Sequence, residues 1–273
     1  RDRDSYTTHL RQGHNYMRRN HEVITPKGHA TDIFTDWAGD YLRERAAQPK
    51  PFFLYLAYNA PHFPIEPPVE WLERVKKRAP TLEEKRALNV AMVEHLDDGI
   101  GKVMAVLRST GREKNTLVFL TADNGGSLPH AQNNDPWRDG KQSHYDGGLR
   151  VPFMARWPGR IAPGSRSDYA GLVFDIFATS LEVAGVARPA GIDAVSLLPV
   201  LRYPAAPQSP REMYFVRRAA ALNVSRRLPW RRRRISCVGA SWCRIRQFGK
   251  WFASGASACI AAEAFCSTDF LER

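Results

Sequence analysis

Cysteine is absent from the first 212 of the 273 residues: Cys237, Cys243, Cys259 and Cys266 all lie in the C-terminal tail. Their spacings, with five, fifteen and six residues intervening, match no common zinc pattern and select no disulfide pairing. A run of about 18 apolar residues is also missing, which excludes a membrane-spanning helix. No stretch has the charged, apolar and cleavage-site order of a secretory signal. The chain begins with Arg1, so its start is expected to lie upstream, and the missing signal says nothing about compartment.

Acidic residues are absent between Glu212 and Glu263. From Met213 onward there are 12 Lys+Arg against 3 acids, which leaves 28 against 25 for residues 1–212. The overall formal charge of +12 is therefore mostly a property of the tail. Its run Arg231-Arg232-Arg233-Arg234 allows polyanion binding as an alternative function. Without aromatic interleaving or a folded reading motif, specific nucleic-acid recognition is not expected. No internal repeat is evident.

What is present suits one main globular core: 43% of residues are hydrophobic, enough for a chain of this length. Residues 1–30 are polar and read as loop. A helix is predicted from Thr31 to about Arg45, with Asp32 and Asp36 early and Arg43 and Arg45 late, as the helix dipole favours. The run Phe52 to Tyr58 has no polar alternation and suits a strand covered on both faces. From Thr81 a long helix is signalled by a capping box of Thr81 and Glu84 and by Leu88, Met92, Leu96, Ile100, Val103 and Leu107 at helical spacing. A second buried strand, Thr116 to Thr121, follows it. A third is expected within Leu149–Trp157, and a helix over Asp168–Gly185 in which Leu172, Ile176 and Leu181 share a face.

Strand, long helix and strand in that order predict an α/β fold. Its sheet is expected to be doubly wound and mainly parallel, with helices on both faces. Ligands of such sheets bind beyond the carboxyl ends of the strands. Two of the chemically capable segments fall there. Asp123 and Asn124 offer a carboxylate and an amide oxygen, hard ligands that suit Ca²⁺ or Mg²⁺, although Asp-Asn-Gly-Gly is also ordinary turn chemistry. His62, between Pro61 and Pro64, can be held as a donor or acid; a loop histidine is more often merely solvated. Lys141, between Asp139-Gly140 and Tyr145-Asp146-Gly147-Gly148, could offset charge on a bound oxyanion. Alone it reads as a surface cation.

Taken in order, Tyr58-Asn59-Ala60-Pro61-His62-Phe63-Pro64, Thr121-Ala122-Asp123-Asn124-Gly125-Gly126, Asn134-Asp135-Pro136-Trp137-Arg138-Asp139-Gly140-Lys141 and Tyr145-Asp146-Gly147-Gly148-Leu149-Arg150-Val151-Pro152 closely resemble the type I sulfatases. These are the arylsulfatase and N-acetylgalactosamine-6-sulfatase kind within the alkaline phosphatase superfamily. The likeness runs from about Thr31 to Val216, so residues 31–216 are expected to form a partial sulfatase core and residues 217–273 a basic, cysteine-containing tail.

The resemblance implies a sulfuric ester hydrolase acting on sulfated carbohydrates or aryl sulfates. It carries Ca²⁺ binding to Asp123 and Asn124, and sulfate contact in catalysis to His62 and Lys141. The full-length family member is expected to be periplasmic or secreted. Asp146 replaces the usual Glu, Trp137 and Asp139 stand where Leu and Gly are common, and His144 matches no family role.

The family's nucleophile is a formylglycine made from cysteine in a Cys-x-Pro-Ser-Arg motif, and none of the four cysteines here lies in one. The paired N-terminal aspartates that complete the calcium site and the further lysine of a Gly-Lys-Trp motif are not found either. The chain is therefore expected to be an incomplete copy, truncated at its N-terminus, inactive alone and without autonomous function. Beyond about Arg218 the family's C-terminal signatures are missing, and translation from a shifted reading frame would account for the change in composition.

Overall fold

The computed structural model describes the backbone of residues 5–206, 211–219, 222–228 and 259–264, and side chains up to residue 215. Two small antiparallel ladders open the chain, β1 (Leu10–Arg11) with β2 (His14–Asn15) and β3 (Arg18–Arg19) with β4 (Glu22–Val23). Helix α1 (Ala30–Ala46), strand β5 (Phe53–Tyr58), helices α2 (Val69–Arg78) and α3 (Glu84–Ser109), and strand β6 (Leu117–Ala122) follow. Then come the single turn α4 (Asp146–Leu149), strand β7 (Phe153–Arg156), and helices α5 (Asp175–Val183) and α6 (Leu198–Arg202). A hairpin of β8 (Met213–Ala219) and β9 (Leu222–Leu228) and a last strand, β10 (Cys259–Ala264), complete it.

The main sheet has the order β5-β10-β6-β7. Strand β10 is parallel to both neighbours, and β7 is antiparallel to β6. Strand β6 shows why helices cover both faces. Val118 joins a cluster with Ala38 and Leu42 of α1, Leu56 and Tyr58 of β5, and Ile100, Val103 and Leu107 of α3. Its neighbours Leu117 and Phe119 point the other way, as strand periodicity requires, and pack with Trp157, Ile176 of α5 and Leu198 of α6. The α/β class with two covered faces therefore follows from alternation along one strand. The sheet is mainly parallel, with two of its three ladders parallel and only β6–β7 antiparallel, but its doubly wound order does not follow, because β10 reaches the centre from the far end of the chain.

Several expectations change at the element level. The segment expected to be polar loop carries the two ladders and sends Tyr6 and Met17, exposed by only 0% and 1%, into a cluster with Ile33, Ala60 and Met92. The cap of α3 is Glu83, whose carboxylate accepts from Lys85 N and Arg86 N, rather than the Thr81–Glu84 box. A carboxylate with two oxygens satisfies two of the orphan N–H groups that a hydroxyl would have to share. The predicted helix over 168–185 shortens to α5, because Asp175 turns back to accept from Leu172 N at 2.8 Å and fixes the start there. The third strand shortens because residues 146–149 form the α4 turn and Pro152 precedes the ladder. Helices α2 and α6 lacked a legible period; of α2 only Val75 is buried.

Candidate functional site: a loop junction at the carboxyl edge of the sheet

Register places two of the singled-out segments at one level. Ala264 of β10 pairs with Tyr58 on one side and with Ala122 on the other, so β5 and β6 end side by side, roughly 10 Å apart across the intervening strand. Residues leaving those ends are Asn59 to His62 and Asp123 to Gly126.

The Asp-Asn-Gly-Gly loop is stitched to the segment that carries Lys141. Lys141 N donates to Gly126 O at 2.9 Å, Gly125 N to Gly148 O at 3.1 Å and Gly147 N to Arg138 O at 2.9 Å. Buried Asn134 works from both ends of its amide: Oδ1 accepts from Gly126 N at 2.6 Å, and Nδ2 donates to Gly126 O at 2.9 Å and Asp139 O at 3.1 Å. Such close backbone approach explains the glycines. A Cβ at Gly125 would lie 1.7 Å from Gly147 O, one at Gly147 2.0 Å from Asp139 O, and one at Gly148 2.3 Å from Ser143 O.

The His62 loop is tied to the same junction. Gln132 bridges it, its Nε2 donating to Pro61 O at 3.1 Å while its Oε1 accepts from Ser127 N at 2.7 Å. The rings of Phe63 and His130 stack at 4.7 Å. From the other side the buried Tyr6 hydroxyl donates to Asn59 O at 2.6 Å, with His62 O as a second acceptor at 3.1 Å. His62 Nδ1 lies 2.5 Å from Phe63 O; a carbonyl oxygen can only accept, so Nδ1 is the donor of this contact. Burial, followed by the charges of Lys141 and Lys85, pushes the His130 pKa down from its usual value.

Three singled-out segments thus meet: His62, Asp123-Asn124 and Lys141. Asn124 Nδ2 donates to Gly125 O at 2.9 Å, which leaves its amide oxygen as the acceptor. A carboxylate and an amide oxygen fit a hard cation in kind, although Ca²⁺ takes six to eight oxygens and these two residues supply only part of that shell. Tyr6 and Gln132 were not foreseen; they reach backbone 53 and 71 residues away, at Asn59 and Pro61, and no local pattern signals that. Asn134 opens the Asn134–Lys141 motif and reaches Gly126 and Asp139, only 8 and 5 residues away. The Arg231–Arg234 run lies outside the described residues.

A second cluster also escaped the sequence reading. His29, Asp32 and His95 place one ligand atom each within 4.8 Å of one another, an arrangement able to hold a metal ion. His29 already uses both nitrogens: Nδ1 accepts from Thr31 N at 3.2 Å as the cap of α1, and Nε2 donates to Glu66 O at 2.9 Å. His95 Nε2 lies 2.9 Å from Asp32 Oδ1. Burial lowers the His29 pKa, in the direction that suits an accepting nitrogen at the cap. With its nitrogens engaged in this way, the group fastens the start of α1 to α3.

Comparison with known proteins was consistent across sequence and structure. The Sulfatase family model matches residues 2–186. N-acetylgalactosamine-6-sulfatase of Mus musculus is 37% identical over 183 residues, covering 65% of this chain and 34% of that protein. The uncharacterized sulfatase YdeN of Escherichia coli (strain K12) is 32% identical over 190 residues, covering 67% and 33%. The chain thus spans about a third of the length of these curated relatives. Among solved structures, Ps i-CgsB in complex with k-i-k-neocarrahexaose superposes with a TM-score of 0.72 at 27% identity, covering 77% of this chain and 46% of that one.

Proposed function

The chain belongs to the sulfatase family, and from that premise we propose that it carries the sulfate-holding half of a sulfuric ester hydrolase active site for sulfated carbohydrates. In this reading Lys141 and His62 contact the sulfate group, and Asp123 and Asn124 are two of the ligands of a Ca²⁺ ion. Bound there, the ion would withdraw charge from the sulfate oxygens. Lys141 would neutralise a non-bridging oxygen, and His62, its ring set by the Phe63 carbonyl, would contact another.

The observation that carries the reading is the convergence of the His62, Asp123-Asn124 and Lys141 loops at one edge of the sheet, held by Gln132 and Asn134. The names of the relatives favour carbohydrate over aryl sulfates: one is N-acetylgalactosamine-6-sulfatase, and the similar solved structure holds k-i-k-neocarrahexaose. None of the four cysteines lies in a formylglycine motif, so these 273 residues are expected to bind a sulfate ester without cleaving it.

Calorimetric titration with N-acetylgalactosamine 6-sulfate, with and without Ca²⁺, tests this. Binding should weaken about tenfold in Lys141→Ala, as expected for losing one charge-assisted contact, and should lose its Ca²⁺ dependence in Asp123→Ala. Binding indifferent to both substitutions would sink the proposal. Hydrolysis should not exceed that of a His62→Ala, Lys141→Ala double variant.

A further inference from the structure

His29, Asp32 and His95 join α1 to α3 with more donor chemistry than a clamp between two helices requires. Their ligand atoms lie within 4.8 Å of one another, and the helices hold them there. One turn further along each helix Gly99 faces Thr35 so closely that a Cβ on the glycine would lie 2.7 Å from Thr35 Oγ1. That hydroxyl is tied in turn to the Tyr58 hydroxyl at 2.8 Å. His29 and His95 are only 7% and 2% exposed, whereas the Asp32 side chain is 41% exposed. A cation entering past the carboxylate would meet imidazoles already stripped of water.

The ring nitrogens are in the states that coordination needs. His29 Nε2 donates to Glu66 O at 2.9 Å, the arrangement by which a carbonyl fixes the tautomer of a ligating histidine and leaves a lone pair on the other nitrogen. That lone pair, on Nδ1, takes only a long hydrogen bond of 3.2 Å from Thr31 N, which an ion would replace. His95 Nε2 lies 2.9 Å from Asp32 Oδ1, and its Nδ1 is buried with no hydrogen-bond partner. No bond at Nδ1 therefore fixes this ring in one tautomer. With an ion on Nε2, Asp32 becomes the co-ligand; with an ion on Nδ1, Asp32 holds the Nε2–H, as carboxylates orient zinc-bound histidines. The surrounding charge also favours a cation. The Lys102 pKa is raised, by its hydrogen bond to Asp98 first and with the charges of Asp32 and Asp36 contributing, so acids outweigh the one lysine. Lys102 Nζ lies 3.0 Å from Asp98 but 4.0 Å from Asp32, and an ion at Asp32 would leave it its nearer partner.

We propose that His29, His95 and Asp32 form a site for a divalent transition ion of the zinc class, distinct from the Asp123-Asn124 pair. Two imidazoles and a carboxylate suit Zn²⁺, with water completing the shell on the Asp32 side, and nitrogen donors disfavour Ca²⁺. The ion locks the start of α1 onto α3. Its hold extends to the segment that carries His62, because His29 is bonded to Glu66 O and stacks on the Tyr6 ring at 5.1 Å, and the Tyr6 hydroxyl donates to Asn59 O. The site stands independently of the sulfate reading, which survives if the ion does not bind.

The test is titration of the full 273-residue chain, stripped with a chelator, with Zn²⁺ in the calorimeter and with Co²⁺ as the spectroscopic probe. One ion should bind per chain, the thermal midpoint should rise with ion concentration, and Co²⁺ should give visible d–d bands without a sulfur-to-metal charge-transfer band. Asp32→Asn keeps the size of the side chain and an acceptor for His95; it should weaken Zn²⁺ binding about ten- to a hundredfold, read against its own metal-free midpoint. His95→Gln should abolish the Co²⁺ spectrum. Lys102→Ala, with the ligands intact, should tighten binding by removing a like charge. Asp123→Ala should leave Zn²⁺ binding unchanged, and so should changing Cys237, Cys243, Cys259 and Cys266 to Ser. The proposal is overturned if no ion binds, if the Co²⁺ spectrum shows sulfur ligation, or if Zn²⁺ affinity survives Asp32→Asn undiminished. Should His95→Gln fail to fold, Asp32→Asn and Lys102→Ala decide the matter, and equal affinity in both against the parent chain defeats the site.

Discussion

At Gly125 one added methyl group would meet the Gly147 carbonyl oxygen at 1.7 Å, and neither partner is a flexible side-chain end that could give way. Gly125→Ala is therefore expected to force the Asp123-Asn124 loop away from the Lys141 loop, at the upper end of the roughly 1–3 kcal/mol typical of overpacking, and to weaken sulfate binding with it. Thermal unfolding and titration read the two effects; an unchanged midpoint together with unchanged affinity would count against the junction as described. Asp97 offers a residue-scale dependence on pH. Burial, reinforced by Asp98 and Glu94, pushes its carboxyl up to about 6, and its Oδ1 is buried without a partner. A carboxyl raised in the folded state contributes stability that is fully present below its unfolded value near 4 and is lost as pH rises through about 6. The expected result is that Asp97→Asn flattens the fall in stability between about pH 4 and 6, measured by denaturant unfolding at a series of pH values. If the wild-type slope in that window persists in the variant, another group is responsible.

Elements separate what local pattern specifies from what only packing decides. Helix α3 was legible from Met92, Ile100, Val103 and Leu107 at helical spacing, all of which are buried, and β5 and β6 from short apolar runs. The cap was misread, since Thr81 and Glu83 both precede the helix and only geometry shows which side chain turns inward. Glu83→Ala should cost about 1 kcal/mol, the usual loss for a cap, while Thr81→Ala should be nearly silent in the same urea titration. The reverse ranking would restore the capping box. Helix α2 was illegible because it buries only Val75 and leans on α3 through Trp71, Leu72 and Ala91. The ladders of residues 10–23 hid behind polar composition, while Tyr6 and Met17 did the burying. The site shows the same division. Its sulfate and metal candidates stood in three of the four short motifs, whereas Tyr6 and Gln132 hold those motifs together from positions up to 71 residues away and leave no local signature.

At the scale of the whole molecule, composition marks the tail as foreign to the rest, yet the backbone puts part of it at the centre. Each of the six residues of β10 pairs with β5 on one side and with β6 on the other. Removing it would leave two parallel strands with facing, unpaired N–H and C=O groups inside a sheet covered on both faces, where unmet backbone groups are costly. It would also remove the register through which Tyr58 and Ala122 end level, and with it the shared height of the His62 and Asp123 loops. A chain ending at residue 216 is therefore expected to lose cooperative thermal unfolding, to associate through its open strand edges in size-exclusion chromatography, and to bind N-acetylgalactosamine 6-sulfate more weakly by at least the tenfold expected of Lys141→Ala. A shortened chain that stays monomeric, unfolds at the same midpoint and binds equally would show that residues 31–216 set the level of the two strand ends by themselves, through Gln132 and the α1–α3 layer, and that the strand at 259–264 merely fills a space the fold can spare.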